Sequence, residues 1–437
     1  MQKKFGLVLL FYKFAVVTYL LMSHNISFSA AMLSALLLCS CKSNVSTDSS
    51  LQITKDDVIH LEGSFDDNFL ESWDYILLED ENLDGIVSNN FRVQYDDGLY
   101  FLDNKAPRNY SIKVFDSTGH YLNNIGHMGR ARNEFLFLDE WVIDPYRNQV
   151  VLVNRNGYYS NVTIKRYDYQ GNFISLTETD TLSERYHIDE VIKCMSDGSI
   201  LVRNNLSITP VYEYFYIHPD GTFSSPMEPN GYEMDLSDEE MENLKHDIAM
   251  AGDWYGFHIR DAIHNAQSDT TVLMPALDSH IFSLYDDGYR CIANLSCLPE
   301  ISDYEKKHLR YEAFRDDDDL YSIDEYKDYL YLLYNDLTEY VFEKNTSRMY
   351  RLKRDRSGKI KPFQGSRYTI YGNDVIYQIP SYEIRDELEL IDKKECDRSY
   401  SPDVMEFFRK VKGHENSIII IAHYRTGDGS VREQNRP

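Results

Sequence analysis

A chain of 437 residues with 43% hydrophobic content can bury a sizeable core, which excludes a disordered protein. Its 45 Lys and Arg against 71 Asp and Glu give a net charge of −26. Such a field repels nucleic-acid phosphates and anionic membrane surfaces, so nucleic acid is excluded as a partner.

Residues 1–40 read as an export signal. Lys3 and Lys4 make a basic start, and two apolar runs follow, the second ("FSAAMLSALLLCSC") ending in small residues. Leu38-Cys39-Ser40-Cys41 resembles a bacterial lipobox, which implies lipidation at Cys41. The expected address is the cell envelope, as an outer-membrane-anchored lipoprotein facing the periplasm or the cell surface. An uncleaved membrane helix with an incidental cysteine is the alternative. Ser, Thr and Asn in "KSNVSTDSS" make 41–60 a flexible tether, and the folded domain is expected over 61–430.

"WDYILLED" (73–80) is a strand with no partner nearby in sequence. "DENLDGIVSNNF" (80–91) starts like a calcium loop but has Phe91 where a bidentate Glu is needed, so it reads as a connection. Three similar hairpins follow: "VFDSTGHYL" (114–122), "RYDYQGNFI" (166–174) and "YIHPDGTFS" (216–224). Their turn glycines, Gly119, Gly171 and Gly221, are 52 and 50 residues apart. The strands "DDGLYFLDN" (96–104), "RNQVVLVNR" (147–155) and "SDGSILVRN" (196–204) recur with nearly the same step. Each unit reads as four strands joined by Asp, Asn and Gly turns.

Between the first two units lies "GHMGRARNEF" (126–135), where Arg130 and Arg132 stand out in so acidic a chain. They are candidate contacts for an anion or sugar acid, with ion pairing to nearby acids as the alternative. An insertion over 228–262 breaks the repeat. Ser237 and Glu240 cap an expected amphipathic helix bearing Met241, Leu244, Ile248 and Met250. Trp254, Tyr255, His258 and Arg260 follow it as candidate ligand-binding residues, a structural flap being the other reading.

Looser copies continue at 269–295 and 329–355. The stretch 366–381 opens a sixth unit that "NSIIIIAHYR" (416–425) would continue after a helix over 381–412. Its last place would be filled by the early strand at 73–80, closing a ring from both chain ends. A period near 50 with four strands per unit marks β-propeller blades. The expected class is therefore all-β: a six-bladed β-propeller of four-stranded antiparallel blades. An inserted helix is expected in the fourth-blade region, and another before the last strand.

From 73 to 425 the chain resembles the six-bladed β-propeller lipoproteins of Bacteroides-type bacteria, relatives of NHL-repeat and TolB-like propellers. The resemblance is carried by "YILLEDENLDGIVSNNFRVQYDDGLYFLDN" and "VFDSTGHYLNNIGHMGRARNEF". Ile125, Gly126, Gly129, Glu134 and Phe135 match the family's loop pattern, while Arg130, Ala131, Arg132 and Asn133 replace its Gly-Pro-Gly core. The resemblance implies architecture and address, but no activity.

No HExxH, G-x-S-x-G or P-loop occurs, so no cofactor, metal site or catalytic set is assigned. Cysteines 39, 41, 194, 291, 297 and 396 form no CxxC; Cys291 and Cys297 could close a loop, but buried or stray thiols are expected. The functional expectation is a monomeric, membrane-tethered binding module for a glycan, peptide or envelope protein. The competing expectation is a polysaccharide lyase or glycoside hydrolase working at the propeller mouth, with convergent carboxylates or a Tyr/His/Arg group.

Overall fold

Each block of apolar and aromatic residues forms a small antiparallel sheet, folded back on itself at Gly, Asn and Asp turns. The computed structural model describes residues 51–87, 92–106, 109–155, 161–180, 188–204, 213–225, 227, 262–263, 271–273, 280–285, 288–298, 320–334, 338–353, 368–394 and 400–427. Two short strands come first, β1 (Leu51–Gln52) and β2 (Val58–Leu61), then helix α1 (Phe65–Phe69) and the longer β3 (Leu70–Leu77). Blade 1 is β4 (Val93–Asp96), β5 (Leu99–Ala106), β6 (Asn109–Phe115) and β7 (Tyr121–Ile125). Blade 2 is β8 (Glu140–Asp144), β9 (Gln149–Arg155), β10 (Val162–Asp168) and β11 (Phe173–Glu178).

Blade 3 holds β12 (Ile188–Cys194), β13 (Ile200–Asn204) and β14 (Glu213–Ile217), with Phe223 and Met227 bridged to the outer side of β14. After the two-residue β15 (Ala262–Ile263), blade 4 has β16 (Thr271–Leu273), β17 (His280–Tyr285) and β18 (Gly288–Asn294). Blade 5 comprises β19 (Leu320–Glu325), β20 (Tyr329–Tyr334), β21 (Thr338–Glu343) and β22 (Arg348–Lys353), with β15 lying parallel to β19. Blade 6 begins with β23 (Tyr368–Tyr371) and β24 (Asp374–Ile379). It passes through helices α2 (Ser381–Asp392) and α3 (Pro402–Val411) and continues with β25 (Ile418–Tyr424).

Each sheet is covered on both faces by its neighbours, so its strands run as near-continuous apolar stretches. Every residue of β20 and β21 is buried. Six core clusters among the described residues fall at the six blade junctions. Phe101, Trp141 and Tyr167 join blades 1 and 2, while Val151, Val191 and Phe215 join blades 2 and 3. Leu201, Tyr216 and Leu284 join blades 3 and 4, and Ile281, Leu332 and Met349 join blades 4 and 5. Tyr331, Tyr350 and Tyr377 lie between blades 5 and 6, and Tyr100, Phe115, Ile376 and Ile419 between blades 6 and 1. The last cluster closes the ring.

Closure uses both ends of the chain, as the sequence led one to expect. β3 is the outer strand of blade 6 and pairs antiparallel with β25, Tyr75 opposite Ile420. The turn glycines explain why one hairpin recurs. A Cβ at Gly119 would stand 2.2 Å from the Leu77 carbonyl oxygen of blade 6. At Gly171 it would meet Asn124 of blade 1, and at Gly221 Glu178 of blade 2. Each hairpin turn thus seats against the outer strand of the preceding blade.

Two expectations need correcting. Residues 51–60, expected to belong to the flexible tether, carry regular structure instead. β1 runs parallel to β18, the Ile53 amide donates to the Asn294 carbonyl (2.9 Å), and β2 runs parallel to β22. The polar segment is ordered because the outer edges of blades 4 and 5 offer unpaired backbone groups. The single helix over 381–412 is two helices, since Pro402 fits the first turn of α3 and would break a helix interior. Cys194, Cys291 and Cys297 form no disulfide among the described residues, and burial pushes the Cys297 thiol up to about 11. Residues 1–50, with Cys41, and the insertion 228–262 apart from Ala262 lie outside the described residues. Among the described residues no helix is long and apolar enough to cross a membrane.

Candidate functional site

The innermost strands of blades 1, 2 and 3 carry charges at one rim. Arg92, Glu140 and Glu190 each stand four residues before the end of their strand, at Asp96, Asp144 and Cys194. The Arg92 guanidinium donates to Glu140 Oε2 (3.1 Å) and the Trp141 carbonyl (2.7 Å) of blade 2. It also donates to the Val191 carbonyl (3.1 Å) and Glu190 Oε1 (3.4 Å) of blade 3. Arg203 takes the other Glu190 oxygen at 3.2 Å. Arg155 donates to the Ile188 carbonyl through its side chain (3.1 Å) and to Asp139 through its amide (2.9 Å). Both glutamates are thus held by guanidinium contacts, an arrangement that ties three blades together at the mouth.

The same rim carries the connection from β7 to β8, residues 126–139. Its base is firmly held. Phe135 and Leu138 are buried, and the Phe135 ring lies so close to Gly126 that a Cβ there would come within 2.5 Å of it. The Phe135 amide donates to the His127 carbonyl (3.2 Å), and the Gly129 amide to the Phe135 carbonyl (2.9 Å). From blade 2, Lys165 Nζ donates to the Glu134 carbonyl, Tyr167 Oη to that of Asn133 (2.9 Å), and Asn154 Nδ2 to that of Phe137 (2.6 Å). Burial pushes the Tyr167 phenol up to about 12, so it stays a donor.

The Glu134 carboxylate closes the loop on itself, accepting from the Ala131 amide (2.7 Å) and meeting His127 Nε2 at 2.9 Å. These contacts, the Ala131 amide foremost, hold its carboxyl below the usual carboxylate range.

On this framework the tip faces solvent. Met128 is 41% exposed, Leu136 54% and Phe137 45%, and Arg130 and Arg132 are exposed as well. Neither arginine side chain has a partner among the described residues, so the ion pairing considered from the sequence is not seen there. The positions matching the resembled pattern (Ile125, Gly126, Gly129, Glu134, Phe135) are in the anchoring part, whereas Arg130 to Asn133 form the exposed turn.

Sequence reasoning singled out the two arginines but missed Met128, Leu136 and Phe137. It also missed Arg92, Glu140 and Glu190, whose signal was their shared place in three successive repeats. Trp254, Tyr255, His258 and Arg260 lie outside the described residues, as does Cys41. "DENLDG" forms a tight turn in which Asn82 Oδ1 accepts from the Asp84 amide (3.0 Å) and Asn416 Nδ2 donates to the Gly85 carbonyl (3.1 Å).

Residues 42–361 match a protein family described as 6-bladed beta-propeller. Among solved structures, a Bacteroides fragilis NCTC 9343 protein described as a candidate for export superposes with a TM-score of 0.54 at 12% identity. The match covers 84% of this chain and 100% of that one. YCF48 bound to D1 peptide gives a TM-score of 0.35 at 10% identity, over 70% of this chain and 77% of that one. The WD40 beta propeller domain of Doa1 gives 0.31 at 11%, over 69% and 93%. No curated protein matches the chain.

Proposed function

Because the chain belongs to the 6-bladed β-propeller family, we propose that it serves as a non-catalytic binding module of the cell envelope, held to the outer membrane by lipid on Cys41. One observation carries the binding reading: a rigidly anchored loop presents Met128, Arg130, Arg132, Leu136 and Phe137 to solvent. Met, Arg and aromatic residues are the types enriched at interface cores, and clustered exposed apolar side chains mark interaction surfaces. The blade interiors are fully used in packing, so recognition falls to the connections between blades. We extend the same proposal to the sequence candidates Trp254, Tyr255, His258 and Arg260 of the insertion 228–262, which lie outside the described residues. The envelope reading is supported by the basic start, the apolar runs and the Leu38-Cys39-Ser40-Cys41 motif.

The test is capture from envelope extract and on a glycan array, comparing wild type with the quadruple variant Met128→Ala, Arg130→Ala, Arg132→Ala and Phe137→Ala. The variant is expected to keep its strand-rich circular dichroism and to lose the wild-type partners. A folded variant that retains every partner would place recognition elsewhere on the molecule.

A further inference from the structure

We propose that the loop 126–139 docks an acidic segment of a partner polypeptide, one in which carboxylates alternate with large apolar side chains. The inference rests on reading this rim as the recognition face, and it names the chemistry of the partner.

Charge supplies the first argument. Arg92, Arg147, Arg166 and Arg203 all pair with carboxylates of the chain. Arg130 and Arg132 have no such partner among the described residues, although acids outnumber bases 71 to 45. The acids nearest in sequence are already engaged. Glu134 is held by the Ala131 amide and His127, and Asp139 by the Arg155 amide. Two guanidiniums two residues apart therefore remain to meet carboxylates from outside, which they can grip in bidentate fashion.

The apolar side chains supply the second argument. Two of the three, Met128 and Leu136, are aliphatic. They suit the side chains of a polypeptide, whereas sugars are commonly stacked on flat aromatic faces, of which the tip has only Phe137. All three are about half buried, with exposures of 41, 54 and 45%. Side chains that are half buried in the protein favour a docked chain over insertion into a bilayer.

Fluorescence anisotropy with a labelled synthetic peptide of alternating Glu and Leu/Phe tests the proposal. Its Lys-for-Glu analogue, an oligogalacturonate and phosphatidylglycerol vesicles serve as competitors. The acidic peptide is expected to bind wild type saturably, more weakly at higher salt, while the lysine analogue does not bind. Arg130→Ala with Arg132→Ala, and separately Leu136→Ser with Phe137→Ser, should each raise Kd at least tenfold without changing thermal unfolding. Unchanged affinity in the arginine pair, no saturable binding, or tighter binding of the oligogalacturonate or vesicles would overturn it. If the quadruple variant loses its envelope partners while wild type ignores the acidic peptide, the recognition face stands and the acidic-partner inference alone fails.

Discussion

At Gly171 the backbone holds φ at +84°, and a Cβ there would stand 2.5 Å from the Asn124 carbonyl oxygen of the neighbouring blade. Gly98 has a similar φ of +79°, but a Cβ there would meet nothing within 4 Å. The pair separates backbone strain from blade contact. Gly98→Ala should cost about 1–2 kcal/mol from the left-handed conformation alone. Gly171→Ala should cost about 2–5 kcal/mol, because the turn must also retreat from blade 1. Urea denaturation of the two variants reads the difference, and equal losses would mean that the hairpin turns do not hold the blades together. Lysine repeats the same logic. Six residues before Gly119 and Gly171 stand the buried Lys113 and Lys165, donating to the carbonyls of Asp84 and Glu134 in the preceding connections. Burial pulls both ammonium groups below the usual lysine range. In the third repeat Phe215 occupies the position.

Among the elements, the segment from β1 to β3 has the widest reach, touching the outer edges of blades 4, 5 and 6 in turn. Its anchor is α1. The Phe65 ring packs on Phe69, Tyr331 and Tyr424 with centroids 4.8–4.9 Å away, and its amide donates to the buried Glu339 (2.5 Å). Deleting 51–62 removes the two parallel strands, the turn between them and the buried Ile53, and the melting temperature should fall by roughly 2–8 °C with one cooperative transition retained. Deleting 51–78 also removes β3 and should give an aggregating, protease-sensitive chain. Calorimetry and limited proteolysis distinguish these outcomes, and equal mildness would show that β3 is dispensable to the ring.

Legibility in the sequence follows the same division. β8 to β11 were readable because their apolar runs and Gly turn are local signals, and the pairing of β3 with β25 because each lacked any other partner. β1 and β2 were not, since "LQITKDDVIHL" has no strand pattern of its own and is ordered by edges some 240 to 290 residues away. At the candidate site, charge contrast exposed Arg130 and Arg132. Which of "EFLFLD" faces solvent depends on Phe135 and Leu138 turning inward, which only the packed blades decide.

The described residues make a ring of six sheets whose broad faces are consumed by packing, and the proposed recognition face lies at its rim. The Arg92 network and the 126–139 loop sit where blades 1, 2 and 3 meet, and their geometry holds only while the ring is closed. Closure is made by β3 against β25, with Asp74 opposite Ile421 and Ser72 opposite His423. A disulfide between Asp74→Cys and Ile421→Cys tests this register most directly, because directly opposed antiparallel residues lie within bridging distance and diagonal ones do not. Under mild oxidation this pair should close within a single chain and be recovered as one linked tryptic species, while Asp74→Cys with His423→Cys stays open. Failure of the opposed pair to close, or a bond that joins two chains, would contradict a ring completed by the two ends of one molecule.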